Sequence, residues 1–305
     1  MSKVIVKTLN PAIERFESPV KLHKAPSGER IQLPFSEWIE DASSHVEVLH
    51  VRDFRTLIQV LDKAKYADGI LSGGDKVTYF RGQVRLFNGT LKPSVYRHLS
   101  KKNNRANVDA GIDSELNKIL TKGGRNVAAL SKSVIEGLFQ QYEHSSRWVD
   151  AVDNVWIALW FACHERWEEG GKVCYLLRNP AQEKEKYRYA YILLIGVDRG
   201  GEVAAGHWRG LHSERVDLRY AVSSHFVRPH VQHGVLVRAL NKNGAIMEDM
   251  TSLIRGVIRI DLPDALRWLG NSESFEVGNV FPNPAFDTGL RDLIEDGKKA
   301  GIDFR

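Results

Sequence analysis

The hydrophobic and polar positions of this 305-residue chain follow two different periods, and each period predicts its own kind of element. Between Phe54 and Leu61 apolar residues recur every three or four positions, which is typical of an amphipathic helix that begins at Asp53. Short runs of β-branched and aromatic residues predict strands, and the first two cover residues 46–51 and 76–83. Elements of both kinds therefore follow one another early in the chain.

Later elements are apolar on most sides, which predicts that they form a core. Residues 155–167 are apolar nearly all round in their first turns, as expected of a buried helix. Strand-like runs follow at residues 172–177, 191–197, 226–240 and 256–262. Because helices and strands mix without the strict alternation of a doubly wound sheet, the predicted fold class is α+β, with a central mixed sheet split by helices.

Breaks in the hydrophobic pattern divide the chain into three parts. Four prolines interrupt residues 1–45, where no period persists, and this predicts an irregular N-terminal extension. Residues 46–262 form the predicted core domain, and residues 263–305 form a C-terminal helical segment packed on it. No stretch of about 18 uncharged apolar residues occurs, so a membrane span is not expected.

The charge balance favours a partner that carries phosphate. The formal net charge is +5 at pH 7, so a polyanion such as nucleic acid is attracted whatever its sequence. Basic residues concentrate at 101–105, just before a helix predicted at 113–120, and this segment is expected to form a mobile positive surface. A solvated face without a partner is the alternative explanation of the same charges.

The cysteines, the histidines and the N-terminus indicate a cytoplasmic protein without a metal site. Cys163 and Cys174 lie in apolar runs without a metal-like spacing, so both are expected to be buried, reduced thiols. His225, His230 and His233 fit no zinc-binding spacing. The first residues lack the long apolar centre of a secretory signal.

Four short motifs follow one another along the chain, the second of them in and after a helix predicted at 133–144. Their residues are Phe80, Arg81, Gly82 and Gln83 with Tyr96 and Arg97; Gln140, Gln141 and Tyr142 with Arg147 and Asp150; residues 158–163; and Arg228 with Gln232, His233 and Gly234. In this order and spacing they resemble the FRG family, which is named for the tripeptide Phe-Arg-Gly. The resemblance extends from about residue 46 to about residue 290.

The second motif departs from the family pattern. Gln141 stands where the family prefers histidine, and Glu143 stands where it prefers glycine. Ser145 and Ser146 take the place of a usual Pro-Thr pair. Residue roles implied by the family therefore carry over least well between residues 141 and 146.

An aromatic residue followed by Arg and Gly on a first strand also resembles the strand with which ADP-ribosyltransferases grip NAD. This resemblance implies an ADP-ribosyltransferase-like core, with NAD as the substrate. The guanidinium of Arg81 is a planar fork suited to a diphosphate. The residues implied in NAD binding are Arg81, Gly82, Gln83, Tyr96, Arg97, Tyr142, Arg147 and Arg228.

The implied catalytic set lacks one carboxylate. In many such transferases a later strand carries Gln or Glu, one further residue and then a catalytic Glu, whereas Gln232 is followed here by His233 and Gly234. Positive charge that develops on the ribose needs a nearby acceptor, and Asp150 is the first candidate, ahead of Glu143 and Asp153. The expected catalytic residues are Arg81, Gln141, Asp150 and Gln232.

These motifs support an enzyme hypothesis and a binding hypothesis. As an enzyme, the chain transfers ADP-ribose from NAD to a macromolecular acceptor such as nucleic acid. Such an activity in a bacterial cytosol suits a toxin of a toxin–antitoxin or phage-defence system that an inhibitor protein, the antitoxin, keeps silent. As a binding module, the same arginines recognise phosphate or nucleic acid and break no bond, which Gly234 favours.

Two further alternatives stay open. Arg81 and Asp150 can form a buried ion pair that only fixes the fold. A metal-dependent nuclease is poorly supported, because no paired carboxylates lie near the motifs.

Overall fold

The computed structural model describes residues 35–41, 44, 46–66, 75–97, 99, 104–122, 127, 129–169, 172–270, 275–283 and 285–302. Most of the predicted N-terminal extension, the predicted turns around 67–74 and the basic residues 101–103 lie outside the described residues. Within the described ranges helices and strands mix as expected. The α+β fold class with a large mixed sheet is therefore confirmed.

Twelve strands occur in the described part of the chain. They are β1 (Ser36–Glu40), β2 (Glu47–Val51), β3 (Lys76–Gln83), β4 (Val149–Val152), β5 (His164–Glu169), β6 (Lys172–Leu177), β7 (Tyr189–Asp198), β8 (Gly201–Ala204), β9 (His207–Arg209), β10 (Ser213–Asp217), β11 (Gly234–Ala239) and β12 (Ile254–Asp261). Ten of them form one sheet in the order β1-β2-β12-β7-β3-β4-β11-β10-β9-β8, and β5 pairs with β6 in a separate ribbon. The sheet is mixed, because β12 runs parallel to β2 and antiparallel to β7.

Nine α-helices accompany these strands within the described ranges. They are α1 (Phe54–Tyr66), α2 (Arg105–Lys122), α3 (Lys132–Gln141), α4 (Val155–Cys163), α5 (Leu218–Ala221), α6 (Val227–Val231), α7 (Leu262–Trp268), α8 (Val277–Val280) and α9 (Thr288–Ala300). Side chains cap the N-termini of the two helices nearest the centre of the sheet, Ser131 at α3 and Asn154 at α4. Among the helices described, none combines the length and the apolar character needed to cross a bilayer.

Two apolar clusters lie on the same face of the large sheet. The first packs α1, α4 and α7 onto the half that contains β2, β12, β7 and β3. The second packs α2, α3 and α9 onto β10 and β11. Val152 belongs to the first cluster, and Leu236, which pairs with Asp150, belongs to the second. Because Asp150 and Val152 share a face of β4, both clusters cover that face, and Asp150 lies between them.

The large sheet divides between β3 and β4. A single residue pair, Phe80 with Val152, joins these two strands, whereas β3 pairs with β7 along its whole length. β4 in turn pairs with β11 over all four of its residues. Towards Gln83 and Val149 the two strands separate, and a gap opens between the two apolar clusters.

Two predicted elements are wrong at one end. A helix was predicted over 155–167, but α4 ends at Cys163, and the chain continues as β5, whose side chains alternate between the faces of the ribbon and pair with β6. This tertiary pairing outweighs the helical continuity of the sequence. A strand was predicted over 226–240, but α6 precedes β11. Pro229 lies inside α6 and lacks the N–H that a central strand requires.

Smaller differences concern the ends of the chain and one thiol. Residues 36–40, which fall in the predicted irregular extension, form β1 antiparallel to β2. α2 begins at Arg105 and is longer than the helix predicted at 113–120. Cys163 is buried as predicted, but the prediction for Cys174 is wrong, because it is exposed on the ribbon.

A buried ionic cluster stabilises β10 against β11. Glu214 is 2% exposed, its carboxylate accepts a hydrogen bond from Arg238, and Arg209 Nη1 lies 2.8 Å away. Burial alone would raise the pKa of Glu214, but His207, Arg238 and Arg209 overcome that effect and lower it to about 2. The carboxylate therefore stabilises the fold above its ordinary pKa of 4.5, and this stabilisation is lost as the pH falls from 4.5 towards 2.

Glu214→Gln should lower the free energy of unfolding at neutral pH by about 3–5 kcal/mol, because Arg238 stays buried without this carboxylate. The loss should shrink as the pH falls from 4.5 towards 2, where the wild-type carboxyl is itself protonated. Urea unfolding at several pH values measures both effects. The exposed Glu295 gives a matched control, Glu295→Gln, with an expected change below about 0.5 kcal/mol. A loss that does not vary with pH would contradict this account of Glu214.

Candidate active site

An open cleft of about 480 Å³ lies where β3 and β4 separate. β3, α4 and the β5–β6 ribbon contribute one wall, and β4, β11 and the end of α3 contribute the other. Seven of the residues predicted from the motifs line the cleft together: Arg81, Gly82, Gln83, Arg97, Gln141, Asp150 and Gln232. The fold thus brings together side chains that are up to about 150 positions apart in the sequence.

Arg81 bridges the gap between the two separating strands. Its Nη1 donates a hydrogen bond of 2.6 Å to the main-chain oxygen of Asp150 and lies 3.8 Å from the Asp150 carboxylate. Gln83, with its amide oriented to satisfy both ends, accepts from Arg81 Nε at 3.2 Å and donates to the Arg85 carbonyl. The guanidinium therefore supplies the hydrogen bond that β3 no longer gives to β4.

The Asp150 carboxyl at the cleft floor has an altered affinity for protons. Burial raises its pKa, and the charge of Arg81 and a hydrogen bond from Gln140 oppose that rise only in part. Burial likewise lowers the pKa of Arg81. The Asp150 side chain is still 40% exposed, so a ligand in the cleft can reach it. A carboxyl with a raised pKa in an open cleft is a functional candidate.

Gln140 fixes the direction in which this carboxyl points. The Ser146 hydroxyl donates to Gln140 Oε1 at 2.8 Å, which leaves Gln140 Nε2 to donate to Asp150 Oδ2 at 2.8 Å. Trp148 N in turn donates to Ser146 Oγ. Ser146 is one of the two positions where the sequence departs from the family's Pro-Thr pair, and its hydroxyl has a defined partner here.

Gly82, which lines the cleft, lets α4 pack closely against β3. A Cβ at this position would lie 1.7 Å from the main-chain oxygen of Ala158, so α4 crosses β3 at a distance that only glycine permits. Phe80, two positions earlier and on the same face, is buried in the first apolar cluster. α4 is therefore the element that approaches the backbone of β3 closely at Gly82.

Gln141 occupies the space next to Gly234. Gln141 Nε2 donates to Gln232 Oε1, and Gln232 Nε2 donates to the Val280 main-chain oxygen at 2.8 Å. A Cβ on Gly234 would lie 2.5 Å from Gln141 Oε1. A side chain at 234, such as the glutamate of the transferase pattern, would thus displace Gln141.

The other two carboxylates considered in the sequence are already engaged. Glu143 accepts from the Tyr175 hydroxyl at 3.0 Å and from Arg166 Nε at 3.2 Å, which ties the ribbon to the opposite wall. Its φ of +65° favours glycine, the residue that the FRG family prefers there. Asp153 is bound to Arg219 and His233 and does not line the cleft.

Arg97 presents a cation to the cleft. Its Nε donates to the Lys92 main-chain oxygen at 3.1 Å, and its two terminal nitrogens have no hydrogen-bond partner within the described ranges. Lys92 also lines the cleft. By contrast Arg105, in the predicted basic surface, is bound to Asp109 and Glu248.

Four of the predicted ligand-binding residues do not line the cleft. Each has its polar group committed to a protein partner: Tyr96 to Asp109 (2.6 Å), Tyr142 to Asp287 (2.7 Å), Arg147 to Glu136 (2.9 Å) and Arg228 to the Gln141 main-chain oxygen (2.9 Å). Because each partner is distant in sequence or lies in another element, no local pattern distinguishes these residues from ligand-binding ones.

The ribbon brings to the cleft further residues to which the sequence motifs do not point. His164, Arg166 and Tyr175 line it, and the Tyr175 ring stacks on Phe281 at 4.2 Å. Extending the predicted helix to 167 hid the alternation that directs His164 and Arg166, and the pairing of β6 with β5, which places Tyr175 opposite Arg166, has no local signal in the sequence. Within the described residues, no three His, Cys, Asp or Glu side chains lie close enough to hold a metal ion.

Comparisons with protein-family models, with curated proteins and with solved structures found no match to this chain. The resemblances to the FRG family and to ADP-ribosyltransferases remain predictions carried by the motif residues.

Gly82→Ala should lower the free energy of unfolding by roughly 3 kcal/mol or more, because the added methyl meets the backbone of α4. Gly111→Ala is the matched control, since Gly111 lies on α2 with nothing within 4 Å of an added Cβ. It should stabilise the protein by roughly 0.5–1 kcal/mol. Urea unfolding of both variants measures the contrast, and equal stability of the two would refute the packing role of Gly82.

Proposed function

We propose that the cleft binds NAD and transfers its ADP-ribose group to a macromolecular acceptor. The observation that carries this proposal is the convergence of Arg81, Asp150 and Arg97 in one open cavity. These groups combine a cation for phosphate with a carboxyl for the positive charge that develops on the ribose during transfer.

The size and polarity of the cleft fit a nucleotide. A volume of about 480 Å³ lies within the range of small-molecule and cofactor sites, roughly 300–1,000 Å³. The terminal nitrogens of Arg97, together with Lys92, suit a diphosphate better than Arg81 does, because Arg81 is engaged with Asp150 and Gln83. We therefore assign phosphate binding chiefly to Arg97, with Arg81 shaping the floor.

Asp150 is the proposed catalytic carboxylate. It lies between the two apolar clusters, Gln140 fixes its direction and Arg81 holds its backbone. As the bond to nicotinamide breaks, a carboxylate placed beside the ribose stabilises the growing positive charge. Gln141 and Gln232 line the cleft beside it, and Gln141 Oε1, which the bond between the two amides does not use, then accepts from the sugar or the nicotinamide amide.

The proposed context is a toxin whose activity an inhibitor protein restrains, with nucleic acid as the acceptor. The net charge of +5 supports a polyanionic acceptor. The proposals that the protein is a toxin and that an inhibitor protein restrains it rest on the resemblance to the FRG family.

A phosphate- or nucleic-acid-binding module without catalysis is the second candidate. Gly234 favours it, because this residue takes the place of the catalytic glutamate in the transferase pattern. Binding that weakens steeply with salt and leaves no covalent product would support the module.

Purified protein incubated with labelled NAD and separate RNA, DNA and protein pools should release nicotinamide and label one pool. Arg97→Ala should weaken NAD binding about 10- to 100-fold, as expected on losing hydrogen bonds to a charged group. Asp150→Asn should lower nicotinamide release about 10²- to 10³-fold with binding retained. Calorimetry and chromatography of nicotinamide measure the two effects.

Arg55→Ala is the control for both variants, since Arg55 is an exposed arginine on α1 outside the cleft. It should leave binding and release unchanged. Absence of nicotinamide release from the wild-type protein with every acceptor pool would dispose of the transferase proposal.

A further inference from the structure

His164 is a buried histidine on the wall of the cleft. It is the first residue of β5, directly after α4, and it is 4% exposed. Its ring stacks on the Trp160 indole with centroids 3.9 Å apart and an angle of 15°. Its Nδ1 lies 2.8 Å from the Trp160 main-chain oxygen. The ring is thus held in one orientation by packing and by one hydrogen bond.

This hydrogen bond fixes the tautomer of the imidazole. A carbonyl oxygen only accepts, so Nδ1 carries the hydrogen, and in the neutral ring Nε2 is left as an acceptor. Within the described ranges Nε2 has no hydrogen-bond partner. Burial lowers the pKa of His164, and the bond to the Trp160 carbonyl offsets this only in part. The ring is therefore neutral at physiological pH.

The other titratable acceptors that line the cleft have protein partners, and the His144 ring lies 3.0 Å from the Glu115 carboxylate. The Glu143 carboxylate accepts from Tyr175 and Arg166. Asp150 Oδ2 accepts from Gln140, and the proposed role of this carboxylate is to face the positive charge on the ribose. His164 Nε2 is thus an acceptor without a protein partner in the described ranges, on a residue that lines the cleft, and a hydroxyl of a ligand in the cleft can donate to it.

We propose that His164 is the general base of the transfer and that the acceptor group is a hydroxyl. The inference rests on the proposed function of the cleft. The hydroxyl proton moves to His164 Nε2 while the hydroxyl oxygen bonds to C1′ of the nicotinamide ribose. The bond from C1′ to nicotinamide breaks, and its electron pair goes to the ring nitrogen of nicotinamide, which leaves as a neutral molecule. His164 then releases the proton to water.

The chemistry of the base selects the class of acceptor. A hydroxyl is neutral at physiological pH and loses its proton only during the reaction, where a positioned neutral base is effective. A carboxylate acceptor has no proton to give. A lysine ammonium or an arginine guanidinium keeps its proton too tightly for an imidazole of lowered pKa.

His164→Asn tests this role because the asparagine amide nitrogen can still donate to the Trp160 carbonyl while the Nε2 acceptor is removed. With water and with methanol as hydroxyl probes, we expect nicotinamide release to fall about 10²- to 10⁴-fold. NAD affinity measured by calorimetry should be unchanged. Added imidazole should restore activity to His164→Ala, which a purely structural role does not predict.

A second measurement is independent of activity. Nitrogen NMR of histidine-labelled wild-type protein should show His164 as the neutral tautomer with hydrogen on Nδ1 at neutral pH, assigned by its loss in His164→Asn. A charged ring, or hydrogen on Nε2, would overturn the proposal. The exposed His225, outside the cleft, gives the control variant His225→Asn, which should react like the wild type.

The outcomes separate the two proposals. If the wild type releases nicotinamide and His164→Asn does so at the same rate, the role of His164 is refuted and the transferase function stands. If the wild type binds NAD and releases none, the transferase function fails, and the role of His164 as its base fails with it.

Discussion

The hydrogen bond from Arg81 to the Asp150 carbonyl spans the gap between β3 and β4, and the rest of the cleft depends on it. A buried carbonyl without a partner would cost about 1–3 kcal/mol, so strands that separate inside a sheet need a substitute donor. Arg81 provides it from β3, Gln83 holds its Nε, and Gly82 lets α4 press on the same strand. In this tripeptide Phe80 packs in the core, Arg81 links β3 to β4, and Gly82 lets α4 cross β3 closely.

The two walls of the cleft contribute different chemical groups. Arg81 holds the backbone of Asp150 and Gln140 holds its carboxylate, so one acid is presented from the floor. Gln141, hydrogen-bonded to Gln232, lies where a side chain at position 234 would project. His164 lines the same cleft from the wall that contains α4 and the ribbon. A ligand lodged between these walls meets an acid and a neutral base supplied by different halves of the fold.

The sequence predicted the fold wherever local pattern and tertiary packing agree. β3 spans residues 76–83 as predicted, and α1 follows its apolar period. The sequence pattern did not predict the ribbon strand β5, because this strand forms through its pairing with β6 and not through a local preference. For the site, the motifs correctly selected Arg81, Asp150 and Gln232 as residues that line the cleft. They did not distinguish these residues from Tyr96, Tyr142 and Arg147, which do not line it. Those three are bound by acids that no local pattern links to them.

Amide hydrogen exchange in the wild type and in Arg81→Met tests the bridge most directly, because methionine keeps the apolar stem and removes the donor. Residues 149–152 and 80–83 should lose protection in the variant, whereas the centre of β7 should keep it. Unchanged protection at 149–152 would contradict the account, since the gap would then hold without the guanidinium. A uniform loss across the whole sheet would also contradict it, by making Arg81 a general stabiliser of the fold.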